Sequence, residues 1–204
     1  MAAAIGLGLP IHDPVGSVIV DVGAGTSEAA VISLGGIVAL KALRVGGRDL
    51  DEAIADMVRH SYDLVISERS SEQLKVGIGS AGPATTSHTA EVHGRRTSTG
   101  EPASVLLGSD VVSAAIADVL RSIVEGVKQC LADSPPEFAQ DAIFEGIQLV
   151  GGGAQLNGFA ELLAEGTSIP VHVAHNPTGV VIEGAGRCLD DLDRLRPLFE
   201  AADH

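Results

Sequence analysis

Near the start of the chain an apolar run, Ser17-Val-Ile-Val-Asp21-Val22, meets a second one, Glu28-Ala-Ala-Val-Ile-Ser-Leu34, across Gly23-Ala-Gly25-Thr-Ser27. No other segment constrains the fold as strongly, because a loop that passes from strand straight into strand must close a hairpin. Gly35-Gly36 and the run from Ile37 to Val45 add a third strand, which predicts a β-meander. A P-loop would need Lys after its glycines and a Rossmann loop would open a helix, so both common nucleotide loops are disfavoured. Asp21 stands at the strand end, and Gly23 and Gly25 allow backbone N–H groups to approach a phosphate. Thr26 and Ser27 add hydroxyl donors. On its own the segment reads equally as a phosphate hairpin and as a plain glycine-rich turn.

Further along, Asp49 is expected to cap a helix whose third residue is Glu52, with Leu50, Ile54, Met57 and Val58 on one face and an end near His60. A short helix is expected over 70–78. Residues 79–100 are rich in Ser, Thr, Gly and Pro, with weak strand signals only at 91–93 and 105–107, and read as a small variable subdomain. Ser109 or Asp110 should cap a long helix carrying Val112, Ile116, Leu120, Ile123 and Val127 at helical spacing and stopping before Pro135-Pro136. A strand over 147–150, Gly151-Gly152-Gly153, a helix over 156–165, a strand over 171–173 and a helix starting near Val181 then alternate as in an α/β layer. The acidic end, 190–204, is expected to fray.

Composition narrows the function classes. Aromatics are 2% of the 204 residues, so there is no platform on which bases could stack. A formal charge of −14 disfavours nucleic acid and anionic lipid as partners, and leaves a bound nucleotide to rely on backbone dipoles. Cys130 and Cys188 lack the spacing of a zinc site or redox pair, and the histidines form no metal motif. Residues 1–10 are apolar but broken by Gly6, Gly8 and Pro10, with no basic residue before Lys41, which points to a cytoplasmic address. No apolar run reaches the ~18–20 residues of a membrane span, so direct insertion is not expected.

Three further groups are candidates. Gly151, Gly152 and Gly153 follow a strand and precede a helix, where a nucleoside could lie against backbone, although a packing turn explains them equally well. Glu72 and Lys75, three apart on one helix face, offer an acceptor and a donor to a ribose or base; as isolated residues they read as a solvated ion pair. Gly184-Ala-Gly186 reads first as a close helix contact and second as a ligand-facing turn.

The order of these pieces is more specific than any one of them, and it resembles the actin, hexokinase and heat-shock ATPase superfamily. Within it the sequence is similar to MreB-like bacterial actins through Ala2-Ala-Ala-Ile-Gly6, Ile32-Ser-Leu-Gly-Gly-Ile37, Arg44-Val-Gly-Gly47, Asp51-Glu-Ala-Ile54, Glu68-Arg69 and Ile78-Gly-Ser-Ala81. The likeness returns at 150–156 and 169–173 and is thin over 82–102. It implies an α/β fold, the second-half domain of an actin-like (ribonuclease H-like) ATPase: a mixed sheet with flanking helices and a small inserted α+β subdomain. Residues 1–48 and 108–204 would form the inner subdomain and 49–107 the inserted outer one.

By the same resemblance, Asp21 would act on a metal indirectly, through magnesium-bound water. Gly23, Gly25, Thr26 and Ser27 would serve the phosphates, and Glu72, Lys75 and Gly151 to Gly153 would border the nucleoside of ATP or ADP. Ala24 stands where the family usually has Gly, and Ile182-Glu183-Gly184-Ala185 replaces a segment that usually carries Arg. The family's first phosphate hairpin and water-aligning Glu-Pro would precede Met1, so no catalytic residue is assigned and independent ATP hydrolysis is not expected. The implied role is that of a truncated MreB-like protein in cell-shape or wall-building work. It would bind a full-length relative or itself, reach the inner face of the membrane only through membrane-bound cell-shape proteins, and bind nucleotide weakly. The alternative is the second half of an active ATPase whose first half is encoded upstream or on another chain.

Overall fold

The computed structural model describes residues 1–82 and 88–190. Helix α1 (Ala2–Leu7), which the sequence does not predict, ends at Gly8 in the left-handed conformation. The meander then forms as expected: β1 (Ser17–Val22), β2 (Ser27–Ser33) and β3 (Gly36–Leu43) pair antiparallel, with Asp21 opposite Glu28 and Val22 opposite Ser27.

Helix α2 (Gly47–Tyr62) begins before Asp49 and continues past His60. Gly46 is its cap residue, and Asp49 acts from inside the first turn, its Oδ2 accepting the Gly46 N–H at 2.7 Å. Leu50, Ile54 and Val58 are buried as predicted, and Met57 packs partly buried against the same core. After β4 (Leu64–Val65), α3 (Glu68–Ile78) starts earlier than Ser70 because the Ser67 hydroxyl accepts the Ser70 N–H at 3.2 Å. The weak strand signals belong to two full strands, β5 (Thr89–Arg96) and β6 (Pro102–Gly108), which form a three-stranded antiparallel sheet with β4. Val92 alone is fully buried on β5, so the alternation that marks a strand is muted there.

Helix α4 (Ser109–Asp133) contains both proposed caps: Gly108 is the cap residue, and Ser109 is already helical. The helix stops before the two prolines, but they do not end helical structure, since α5 (Glu137–Glu145) starts directly after Pro136. Then follow β7 (Ile147–Val150), a 3-10 turn (Gly152–Gln155), α6 (Phe159–Thr167), β8 (Val171–Val173) and α7 (Val180–Asp190). The helix expected from Leu156 starts at Phe159 because Gly158, with φ of 75°, interrupts it. Of the acidic end, 191–204 lie outside the described residues, as do 83–87 within the loop before β5.

The main sheet has the order β3-β2-β1-β7-β8, antiparallel through the meander and parallel from β1 to β8. It is a mixed sheet covered on both faces. Val18, Val20, Val22, Ala29, Val31, Ile147 and Leu149 join the large core with α2, α4 and α6, while Ile19, Ile32 and Val150 join a smaller one with α1 and α7. The large core continues through Leu74, Val92 and Leu107 under the second sheet. Helices α1 and α7 touch backbone to backbone: a Cβ at Gly184 would overlap the Ala2 carbonyl oxygen, and one at Gly6 that of Val180. Gly184 is therefore a packing glycine. No helix among the described residues is long and apolar enough to cross a membrane.

Candidate functional site

The hairpin after β1, the N-terminus of α2, the exposed side of α3 and the turn after β7 enclose a cleft of about 830 Å³. Of the sequence candidates, Gly23, Glu72, Lys75, Gly152 and Gly153 line it; Asp21, Gly25, Thr26, Ser27 and Gly151 do not.

The hairpin is fixed from two sides. Gly23 N–H donates to the Thr26 carbonyl at 2.9 Å to close the turn, and the carbonyls of Gly23 and Ala24 accept the N–H groups of Gly47 and Arg48 at 3.0 and 2.7 Å. The first turn of α2 thus places its positive end against the glycine loop. Ala24, Gly25 and Thr26 are exposed at the tip. Ser27 is buried, and its hydroxyl donates to the Val45 carbonyl at 2.7 Å, so it ties the hairpin to the α2 approach and is not presented at the tip.

Gly151 stands behind the hairpin with φ of 85°, donating its N–H to the Pro177 carbonyl at 2.8 Å. A Cβ there would overlap both Asp21 Oδ1 and the Val22 carbonyl oxygen, so only glycine lets the β7 turn approach the end of β1. Asp21 is half-buried on the face shared with Glu28. Burial raises its carboxyl above the ordinary carboxylate range, Glu28 adds to the rise, and the Met1 amine opposes it.

The ion pair expected between Glu72 and Lys75 is replaced by a buried one. Lys75 Nζ donates to Asp51 Oδ2 at 2.9 Å and to the Gly47 carbonyl at 3.0 Å. Burial raises the Asp51 carboxyl, and Lys75 pulls it back down. Asp51 Oδ1 is buried without a partner among the described residues. Among the charged cleft residues that escaped the sequence reading as site candidates, with Glu68 and Arg69 of α3, are Asp51, which meets Lys75 only through the docking of α2 on α3, and Arg48, whose guanidinium lies 3.9 Å from where a Gly25 Cβ would sit. Neither carries a spacing signal; Arg48 was visible only as a cation directly after Gly46-Gly47. Among the described residues no group of three or more His, Cys, Asp or Glu could hold a metal directly.

Three comparisons bear on this arrangement. The sequence model of the MreB/Mbl protein family matches residues 1–197. The cell shape-determining protein MreB of Escherichia coli K12 is 44% identical over 193 residues, covering 95% of this chain and 56% of that protein. Mbl of Bacillus subtilis 168, also named cell shape-determining, is 38% identical over 193 residues, covering 95% and 58%. Among solved structures, MreB5 of Spiroplasma citri bound to ADP matches with a TM-score of 0.90 at 29% identity over 94% of this chain and 58% of that one. The MamK double helical filament matches at 0.74 and 22% identity over 93% and 57%, a likeness of fold alone. The chain spans a little over half the length of these relatives.

Proposed function

The chain belongs to the MreB/Mbl family and has its actin-like fold, and from that premise we propose that it works in the cytoskeletal machinery of cell shape, associating with actin-like filaments while its cleft takes an adenine nucleotide weakly. The observation that carries this reading is the convergence of the glycine hairpin, the positive end of α2 and the β7 glycines on one cleft. In this reading Gly23 faces the phosphates from the cleft wall with Arg48 beside it, Gly25 and Thr26 reach them from the exposed hairpin tip outside that wall, and Ser27 braces the loop from below. Glu72, Lys75, Gly152 and Gly153 border the nucleoside, and Gly151, outside the cleft wall, supports that turn from behind. The structure neighbours include one protein with ADP and with AMPPNP bound, which supports a nucleotide as ligand.

Magnesium fits the residues present as a hydrated ion. Asp21 and Glu28 oppose each other as like charges at the hairpin, beside the cleft wall and near the Met1 amine, an arrangement a cation relieves further, and two carboxylates with no third ligand among the described residues suit contact through water. When bound, the ion would neutralise phosphate charge; Asp21 would orient its water shell.

The partner is a second copy or a longer relative, in the cytoplasm, with contact to the membrane through bound cell-shape proteins. The exposed apolar residues Leu34, Ile37 and Leu40 on the edge hairpin support a protein partner. In this reading 1–48 and 108–204 form the inner subdomain and 49–107 the outer, with 83–87 and 191–204 outside the described residues.

Co-sedimentation with filaments of a full-length relative, with and without ATP, tests the role: the chain is expected in the pellet, and recovery always in the supernatant would overturn it. A second reading, a fully active ATPase cleft completed by further polypeptide, is favoured by the 56% coverage of the Escherichia coli relative. Phosphate release on adding the remaining portion of such a relative would distinguish it.

A further inference from the structure

Two cations stand at the glycine hairpin, and distance does not tell them apart. Lys75 Nζ donates to the Gly47 carbonyl at 3.0 Å, and a Cβ at Gly47 would lie 3.7 Å from Ala24 Cα. Arg48 donates its backbone N–H to the Ala24 carbonyl at 2.7 Å, and its Nη1 lies 3.9 Å from where a Gly25 Cβ would sit. Commitment separates them. Lys75 has two of its three N–H bonds on the Gly47 carbonyl and Asp51 Oδ2, and that carboxylate matches its charge. Drawing it to another anion would strand Asp51, which is buried and already has one oxygen without a partner among the described residues. The Arg48 side chain is exposed, and its guanidinium makes no hydrogen bond or ion pair among the described residues.

The fold gives no reason for an arginine there. Arg48 is in the first turn of α2, where a cation opposes the positive end of the helix dipole and where Asp49 supplies the favourable charge. An anion held on the guanidinium reverses that opposition. The hairpin tip adds donors of its own, since the N–H groups of Ala24, Gly25 and Thr26 meet no acceptor among the described residues. A planar guanidinium beside bare backbone N–H groups suits an oxyanion held at two oxygens. We propose that Arg48 is the side chain that binds the anionic part of the cleft's ligand, a phosphate or polyphosphate, while Lys75 stays with Asp51. The inference rests on the nucleotide reading given above.

The test titrates the whole chain with ADP and, separately, with inorganic tripolyphosphate, following cleft amide resonances by NMR. Arg48→Gln removes a side chain that bonds to nothing in the fold, so the variant should keep the wild-type melting point. It is expected to weaken tripolyphosphate and ADP about tenfold each, the equivalent of ~1.4 kcal/mol, and to flatten the salt dependence of both. Arg69→Gln removes an equal charge from the same cleft, on the first turn of α3, and should weaken either ligand less than about threefold, because an exposed charge out of contact is screened. The double variant Asp51→Asn, Lys75→Met removes the paired charges together and should weaken tripolyphosphate less than Arg48→Gln does. Should that variant not fold, the two arginine variants decide alone. Unchanged tripolyphosphate affinity in Arg48→Gln, an equal loss in Arg69→Gln, or a larger loss in the double variant would overturn the inference and leave the nucleotide reading standing. A wild type that takes up tripolyphosphate but no ADP would sink the nucleotide reading alone, and one that takes up neither at millimolar concentration would sink both.

Discussion

Three consecutive glycines after β7 carry different physical burdens, and alanine substitution should separate them. Gly151 holds φ 85° and ψ 171°, a region essentially closed to other residues, at ~1–3 kcal/mol for a non-glycine. Its new Cβ would overlap Asp21 Oδ1 and the Val22 carbonyl oxygen and lie 2.7 Å from the Val22 carbonyl carbon. Val22 ends a strand paired to β2 beside the β7 ladder, so it cannot retreat freely, and relieving the overlap adds ~1–3 kcal/mol. The total is about 4 kcal/mol, and at ~2–4 °C per kcal/mol for a chain of this size Gly151→Ala should melt ~8–16 °C lower. At Gly152 an added methyl meets nothing within 4 Å, so Gly152→Ala should stay within ~0.5 kcal/mol of wild type. Gly152 lines the cleft, however, so its alanine variant should lose ADP affinity while keeping its melting point. Circular-dichroism melts paired with ADP calorimetry read both effects. Equal melting points for the two variants would refute the close-approach argument.

Asp21 provides a pH signature. Its folded carboxyl is raised by burial and by Glu28, so the stability from this group is full below its unfolded value near ~3.9 and is lost as pH rises through the raised folded value. Asp21→Asn should therefore melt ~0.4–4 °C higher at pH 7, from ~0.2–1 kcal/mol of relieved like-charge opposition, with the difference vanishing below about pH 3.5; parallel curves from pH 3 to 8 would contradict this. Gly184→Ala should destabilise by ~2–3 kcal/mol, since its Cβ would overlap the Ala2 carbonyl and lie 2.8 Å from that carbonyl carbon. Gly186→Ala, which meets nothing within 4 Å in the same helix, should gain ~0.5–1 kcal/mol. Denaturant midpoints compare the two, and equal shifts would count against backbone contact between α1 and α7.

What could be read from the sequence was whatever is encoded by neighbours along the chain. The meander, the buried face of α4 and the β7 and β8 strands follow from alternation, helical spacing and glycine placement, and they lie where those patterns put them. Elements with short or ambiguous patterns were lost: α1 resembles an apolar leader, α5 hides behind two prolines, and β5 buries a single residue fully. Caps shifted by one to three residues because a glycine can hold the cap position while a side chain inside the turn does the bonding, as Asp49 does for Gly46. In the cleft, Gly23 and Gly152 were visible because a glycine loop between strands is a local signal. The Asp51–Lys75 contact was not, because it depends on how two helices dock, and nothing in a spacing of 24 residues specifies that.

The same distinction explains why composition misleads about the cleft's charge. Over the whole chain 13 basic residues face 27 acidic ones, an average that suggests a surface hostile to phosphate. The cleft gathers Arg48, Arg69 and Lys75 against Asp51, Glu68 and Glu72, so locally the signs balance. Balance alone would not attract an anion, but the pairing is uneven. Asp51 is committed to Lys75, while Arg48 and Arg69 make no ion pair among the described residues, and Arg48 lies beside Gly25 at the hairpin. A phosphate can therefore draw on a cation that no local acid has taken up, which the whole-chain average conceals.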